Sequence, residues 1–332
     1  MNESIKTINY LGKEHGNFNQ EWLAHHKASE WWYATGLLND ENNNLYSYQI
    51  VLIKTAFGNL ESWSTQLALT DFTNNKHYFF EKAQKDGEGY SVGDNFAKRD
   101  DLLSIEKSND GFIINAEADN FSISLQTEFG KGAFWHADNG YLVMGKPELG
   151  STTYYSYPSM PTTGKLILDD KTIQIKGNSW FDKQGGEFQS LNPLSQWEWF
   201  SLRFKDNEQV MLFSFPQDDY QDGTYITDHS QRLNKYTITP KKIIEVDGIK
   251  FSSGWDIDLP GIKDEHYTLE PIMAGQRNGA YYEQVSRIFD SSNNHVGDCV
   301  VELLPGARTP DFKSDWVKDK QKKQSLKCPR TL

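Results

Sequence analysis

Cysteine is nearly absent from this 332-residue chain, with only Cys299 and Cys328 present. Two thiols cannot build a disulfide framework, and neither sits in a metal-ligand spacing. No run approaches the ~20 apolar residues of a membrane span. The start, Met1-Asn2-Glu3-Ser4-Ile5-Lys6, has no apolar core of signal-peptide length. A reducing cytoplasm is therefore the expected location. Cations are in deficit, 34 Lys and Arg against 46 Asp and Glu, for a net charge of −12. That balance excludes a nucleic-acid binder, whose affinity comes from cationic surface. No Gly-rich phosphate loop, HExxH helix, nucleophile elbow or Cys/His cluster occurs. The adjacent pair His25-His26 lacks a nearby third ligand and reads as a polar feature rather than a metal site. Neither cofactor nor metal is expected.

Long helical periodicity is also scarce. What the chain has instead is aromatic residues, 10 Trp, 16 Tyr and 19 Phe, laid out in alternation. Tyr46, Tyr48, Ile50 and Leu52 fall on one face of a strand, and Ser47, Gln49, Val51 and Ile53 on the other. Similar stretches run over 112–116, 121–125, 165–175, 210–215 and 281–289. Between such stretches stand Asp86-Gly87, Asp110-Gly111, Asn139-Gly140, Asp222-Gly223, Asp247-Gly248 and Asn278-Gly279, pairs that supply the positive φ of hairpin turns. The pattern predicts an all-β, mostly meandering antiparallel protein.

At 38.2 kDa the chain can form one large domain or two ordinary ones. A gapless shift of 167 residues lays Trp32 on Trp199, Tyr33 on Phe200 and Tyr46-Ser47-Tyr48 on Phe213-Ser214-Phe215, an echo that predicts two β units. Linker chemistry at 185–193 places the boundary there, giving an N-terminal domain over 1–188 and a C-terminal domain over 189–310. Residues 311–332 carry seven cations against three acids and read as a solvated basic tail.

The candidate chemistry is carboxylates set among aromatics. Glu30 lies in Glu30-Trp31-Trp32-Tyr33, where Glu30 and Trp32 share a strand face and Trp31 and Tyr33 the other. Trp180 and Asp182 likewise share a face, with Phe181 opposite. Trp197-Glu198-Trp199, Tyr281-Tyr282-Glu283 and Val301-Glu302-Leu303 complete the set. Taken singly, each acid is as readily a cap or an ion-pair partner in a Trp-filled core.

Glu30-Trp31-Trp32-Tyr33-Ala34-Thr35-Gly36 followed by Tyr48-Gln49 resembles the E-W-W-Y-x-x-G … f-Q signature of the CrtC/AttH-like family. That family includes carotenoid 1,2-hydratase (hydroxyneurosporene synthase), kievitone hydratase and lipocalin-like Diels–Alderases. Tyr154-Tyr155-Ser156, Trp180-x-Asp182-x-x-x-Gly186, Trp197-x-Trp199, Tyr282-Glu283 and Val301-Glu302-Leu303 follow in the family's order. The match covers about residues 20–305. The resemblance implies two lipocalin-like antiparallel β-barrel or sandwich domains with a hydrophobic pocket at or near their interface. It also implies that Asp182 falls on the acid proposed to protonate the alkene, with Tyr155 as the aromatic of the preceding segment. Trp180 stands where the hydratases have tyrosine, and their upstream histidine is not evident near Thr153.

Protonating a C=C bond needs an acid still neutral near pH 7, and aromatic walls beside it to stabilise the cation. Together with the resemblance, these residues imply a hydratase or cyclase of a polyene, isoprenoid or polyketide-type substrate. Asp182 is the expected general acid, with Glu30 and Tyr155 beside it in the catalytic set. Trp32, Tyr33, Gln49, Trp180, Trp199, Tyr282 and Glu283 are expected to bind substrate. A cofactor-free pericyclase that folds a polyene, with a carbonyl held by Tyr33, Gln49 or Tyr155, uses the same pocket. So does a non-catalytic carrier of a hydrophobic molecule. In each case the partner is a hydrophobic small molecule.

Overall fold

A computed structural model describes residues 4–58, 60–85, 87–188 and 196–308. The expected linker beyond Phe188 and the basic tail lie outside the described residues in whole or in part.

Two antiparallel sheets account for nearly everything described. In the first, the strands lie side by side in the order Lys76–Lys85, Leu60–Asp71, Leu45–Phe57, Ser29–Asn39, Lys171–Gly186, Ser151–Leu168, Phe121–Thr127, Phe112–Glu117, Leu103–Lys107, Phe96–Arg99 and Tyr90–Gly93. The second runs Ser230–Leu233, Tyr220–Ile226, Gln209–Phe215, Glu198–Phe204, His295–Leu303, Tyr281–Asp290, His266–Pro271, Ile249–Asp258 and Thr237–Val246. Both sheets curl into half-barrels, in agreement with the expected lipocalin-like, two-domain all-β fold. They also share one plan. In each, the first long strand is flanked by the strand that follows it and by the last strand of its unit.

Burial shows why the central strands are so rich in aromatics. Phe112–Glu117 alternates strictly between buried and exposed, since one face meets the barrel interior and the other meets water. Ser29–Asn39 and Gln209–Phe215 are buried on nearly every residue. Their second face packs against the other unit. Three apolar clusters result. Trp22, Trp32, Trp63, Phe112 and Phe181 fill the first barrel. Phe200, Trp255, Tyr282 and Val301 fill the second. Tyr33, Tyr154, Trp180, Trp199, Phe213 and Val300 form a layer between the two.

This layering corrects two sequence expectations. The 167-residue echo lays barrel-facing Trp32 and Tyr48 on interface-facing Trp199 and Phe215, and Trp32 pairs with Leu52 where Trp199 pairs with Phe213. The units repeat in strand order, not in that register. Asp222-Gly223 is likewise no turn, since it lies inside Tyr220–Ile226. Gly223 is required there because a Cβ would stand 2.7 Å from the Met211 carbonyl oxygen. Asp247-Gly248 does turn the hairpin between Val246 and Ile249, with φ of 51° and 80°.

Candidate active site

Asp182 sits in the layer between the units and is 4% exposed. The register Ser156↔Asp182 puts Tyr154, Ser156, Trp180 and Asp182 on one face of two neighbouring strands. Three donors converge on the carboxyl. Ser156 Oγ and Trp180 Nε1, the latter at 2.5 Å, reach Oδ1, and Tyr154 OH reaches Oδ2 at 3.1 Å. Trp199 Nε1, from the second unit, donates to Tyr154 OH at 2.9 Å. Its ring meets Trp180 edge-on at 6.0 Å. Burial pushes the Asp182 carboxyl up to about 7, outweighing the three donors and the charge of Arg203. The group is therefore an acid poised near neutrality, walled by indole and phenol rings.

Behind it stands His136. Its Nδ1 lies 2.9 Å from Thr224 Oγ1, and its Nε2 lies 2.6 Å from Ser156 Oγ. Burial lowers this imidazole to about 3, so it is neutral. With Nδ1 accepting from Thr224, Nε2–H donates to Ser156, whose hydroxyl donates on to Asp182. Two strands of the first unit and one of the second thus hold the carboxyl through a continuous hydrogen-bonded chain.

Deeper in the same layer are two more carboxyls. Glu283 and Glu302 are directly opposed on neighbouring strands, and Tyr33 OH donates to Glu283 at 3.3 Å. Trp197 Nε1 donates to Glu302 at 2.9 Å. Both carboxyls are raised, by burial first, Glu283 then by the charge of Glu302 and Glu302 by that of Asp182. Arg203 is the cation that opposes Asp182 and Glu283. Its guanidinium lies 5.7 Å from the Trp180 ring centroid, and its Nε and Nη1 find no acceptor among the described residues.

Of the residues expected from sequence, Asp182, Trp180, Tyr33, Gln49, Trp199 and Glu283 all face this layer. The other four do not. Tyr155 pairs with Lys183, not Asp182, and points into the first barrel, where its hydroxyl donates to the Phe18 carbonyl at 3.2 Å. Its neighbour Tyr154 takes the place expected of it. Trp32 lies in the same barrel, donating to the Trp22 carbonyl at 2.9 Å. Tyr282 is in the core of the second barrel, stacked on Phe251 at 4.9 Å. Glu30 is wholly buried in a charged cluster, 2.7 Å from Lys54 Nζ and 2.8 Å from Lys183 Nζ, with His25 Nδ1 at 3.1 Å. His25 in turn meets Glu21 at 2.8 Å. These ties leave Glu30 a structural anion on the face of the sheet opposite to Asp182.

Sequence reasoning missed His136, Ser156 and Tyr154 as a group. No histidine lies near Thr153; His136 reaches the site from a segment that runs antiparallel beside the strand Ser151–Leu168, where Trp135 pairs with Tyr155. Its one signal is that it is the only histidine between His77 and His229. Among the described residues, no three His, Cys, Asp or Glu side chains have the geometry to hold a metal. No described helix is long and apolar enough to cross a membrane.

The model of the AttH-like family matches residues 11–306, almost the whole described chain. The chain belongs to the AttH-like family. Solved structures share its fold. An AttH candidate from Nitrosomonas europaea is 20% identical, with a TM-score of 0.79 over 90% of this chain and 99% of its own. Kievitone hydratase from Nectria haematococca is 18% identical, with a TM-score of 0.64 over 92% and 97%. CghA, solved with Sch210972, is 9% identical, with a TM-score of 0.55 over 91% and 95%. No curated protein matches by sequence. As a member of the AttH-like family, the chain keeps the two-barrel frame and brings its own aromatic and carboxyl residues to the layer between the barrels.

Proposed function

We propose that this AttH-like protein is an enzyme that acts on a C=C bond of a hydrophobic polyene, isoprenoid or polyketide-type substrate. Asp182 protonates the alkene, and the aromatic layer shelters the resulting cation until water or an internal nucleophile captures it. The observation that carries this reading is a carboxyl raised to about 7 by burial, inside walls formed by Trp180, Tyr154 and Trp199. An ordinary carboxyl is ionised at neutral pH and has no proton to give. One held near 7 combines a workable proton with a workable conjugate base. Each well-placed ring then stabilises a cation by about 0.5–2 kcal/mol. The chain from Thr224 through His136 and Ser156 fixes the carboxyl's direction. The shared fold with kievitone hydratase supports the same reaction class.

The test is a panel of prenylated phenols and linear polyenes incubated in D2O with the wild-type chain and with Asp182→Asn. The expected result is one carbon-bound deuteron in the wild-type product and none with the variant, which still binds the substrate. An unlabelled cyclised isomer, formed equally by both proteins, would identify pericyclic closure instead. Tight binding without any product would identify a carrier.

A further inference from the structure

We propose that a water-sized cavity beside Gln49 holds the water that adds to the substrate cation, and that the opposed carboxyls of Glu302 and Glu283 take that water's proton. This rests on the reading of Asp182 as the proton donor and names the second half of the same reaction.

The cavity has a volume of about 30 Å3 and is lined by Tyr33, Gln49, Gln66, Trp197, Tyr281 and Glu302. A space of that size accommodates about one water and no organic group. Its wall is mixed: Trp31, Val51 and Ile53 share it with these polar side chains, one of which has an unsatisfied atom. Gln66 is 5% exposed, its Nε2 donates to Glu81 at 2.9 Å, and its Oε1 receives no hydrogen bond from the described residues. Gln49 is held from behind: its Oε1 accepts from Asn278 at 3.0 Å, and Asn278 in turn meets His77 at 2.8 Å. Across Gln49 a second space of about 10 Å3 reaches Glu283, whose Oε1 also has no partner among the described residues. Gln66 Oε1 is thus a buried acceptor without a donor beside the first space, and a water there would supply that donor.

The carboxyl pair supplies the base. Glu283 and Glu302 leave adjacent strands at directly opposed positions on the same face, where Cβ atoms stand about 5 Å apart. Two carboxylates at that spacing in a dry layer do not both ionise, and the pair holds one proton between them. Tyr33, Tyr281 and Arg203 face them from this layer, Asp182 lies near Glu302, and His77 is reached through Asn278. The steps balance. Asp182 gives its proton to one alkene carbon and becomes a carboxylate. The water oxygen bonds to the other carbon, one O–H bond breaks, and that proton passes to the free site of the glutamate pair. Exchange with solvent returns the proton to Asp182, and the net reaction adds one water to one double bond.

Two measurements test this on the full chain. A high-resolution crystal structure should show one water within hydrogen-bond distance of Gln66 Oε1 and the Glu302 carboxyl. A dry cavity there would overturn the proposal. The alkene found to take up deuterium with the wild-type chain is then turned over in D2O enriched in heavy oxygen, with Glu302→Gln beside it. The variant's folding is checked by its melting curve. Wild type should insert one deuteron and one heavy oxygen. Glu302→Gln should keep the deuterium uptake while alcohol formation falls about a hundredfold, the trapped cation losing a proton to give an isomerised alkene. Alcohol formed at the wild-type rate by Glu302→Gln would refute the water site yet leave Asp182's role standing. Deuterium uptake that survives Asp182→Asn would instead refute the underlying reading.

Discussion

The placement of Asp182 makes a stability prediction that needs no substrate. In the unfolded chain this carboxyl ionises near 3.8, and in the folded protein near 7. A raised folded-state value means that the neutral form is the one folding favours. The contribution is fully present below the unfolded value and is lost as pH rises through the folded one. About three pKa units at 1.36 kcal/mol each set the total near 4 kcal/mol. Asp182→Asn keeps the shape, carries no charge at any pH, and so escapes that loss. Measured in urea at about pH 5 and about pH 8.5, its stability relative to wild type should improve by roughly 2.5 kcal/mol across the interval. For a chain of this length that corresponds to the variant's Tm rising by about 4 °C relative to that of wild type. A gap independent of pH would mean that Asp182 ionises normally. A variant that instead loses stability relative to wild type as pH rises would mean that Ser156, Trp180 and Tyr154 stabilise the carboxylate more than burial penalises it, and the acid assignment would fail.

Other substitutions separate the neighbouring roles. Tyr154→Phe should lower deuterium uptake about tenfold or more by removing the link between Trp199 and Asp182, while Tyr155→Phe should lower only Tm; the reverse outcome would refute the register Ser156↔Asp182. Ser156→Ala removes a donor from the carboxylate and cuts His136 out of the chain, so the alkaline limb of the uptake–pH profile should move upward. For Glu30, burial is overcome by Lys183, Lys54 and His25, which hold its carboxyl well below the usual range. Its stabilisation is present above the unfolded value and lost as pH falls. Glu30→Gln leaves two lysines buried without their anion and should cost about 3–5 kcal/mol in urea titrations at neutral pH. A wild-type midpoint for that variant would show that the cluster is not the buried ion-pair network described.

How much of the fold and the site is legible in the sequence follows from the period of a strand. Alternation is enough to pair Trp180 with Asp182 and to set Trp31 and Tyr33 against Trp32, and each pairing holds in the layers. Alternation cannot say which face is which when both are dry. A strand with one wet face announces its inside by polar residues on the other, as Phe112–Glu117 does. Ser29–Asn39 and Lys171–Gly186 have apolar residues on both faces in their buried stretches, so Tyr154 and Tyr155, one residue apart, are equally good neighbours for Asp182 unless the register is known. The same blindness makes the 167-residue echo convincing, because aromatic residues on either face score alike. His136 and the opposed glutamates lie beyond local reading for a different reason. His136 meets Asp182 through Ser156, and Glu283 meets Glu302 across a hairpin, so both depend on strand register. The features that distinguish this layer from an ordinary β core are the unpaired Nε and Nη1 of Arg203, the raised carboxyls and a small cavity that Gln49, Gln66 and Glu302 reach. They exist only once two aromatic faces have closed on each other. The buried surroundings of Asp182 are a property of the contact between the barrels: Ser156, Tyr154, Trp180 and His136 come from the first, and Thr224 and Trp199 close them from the second.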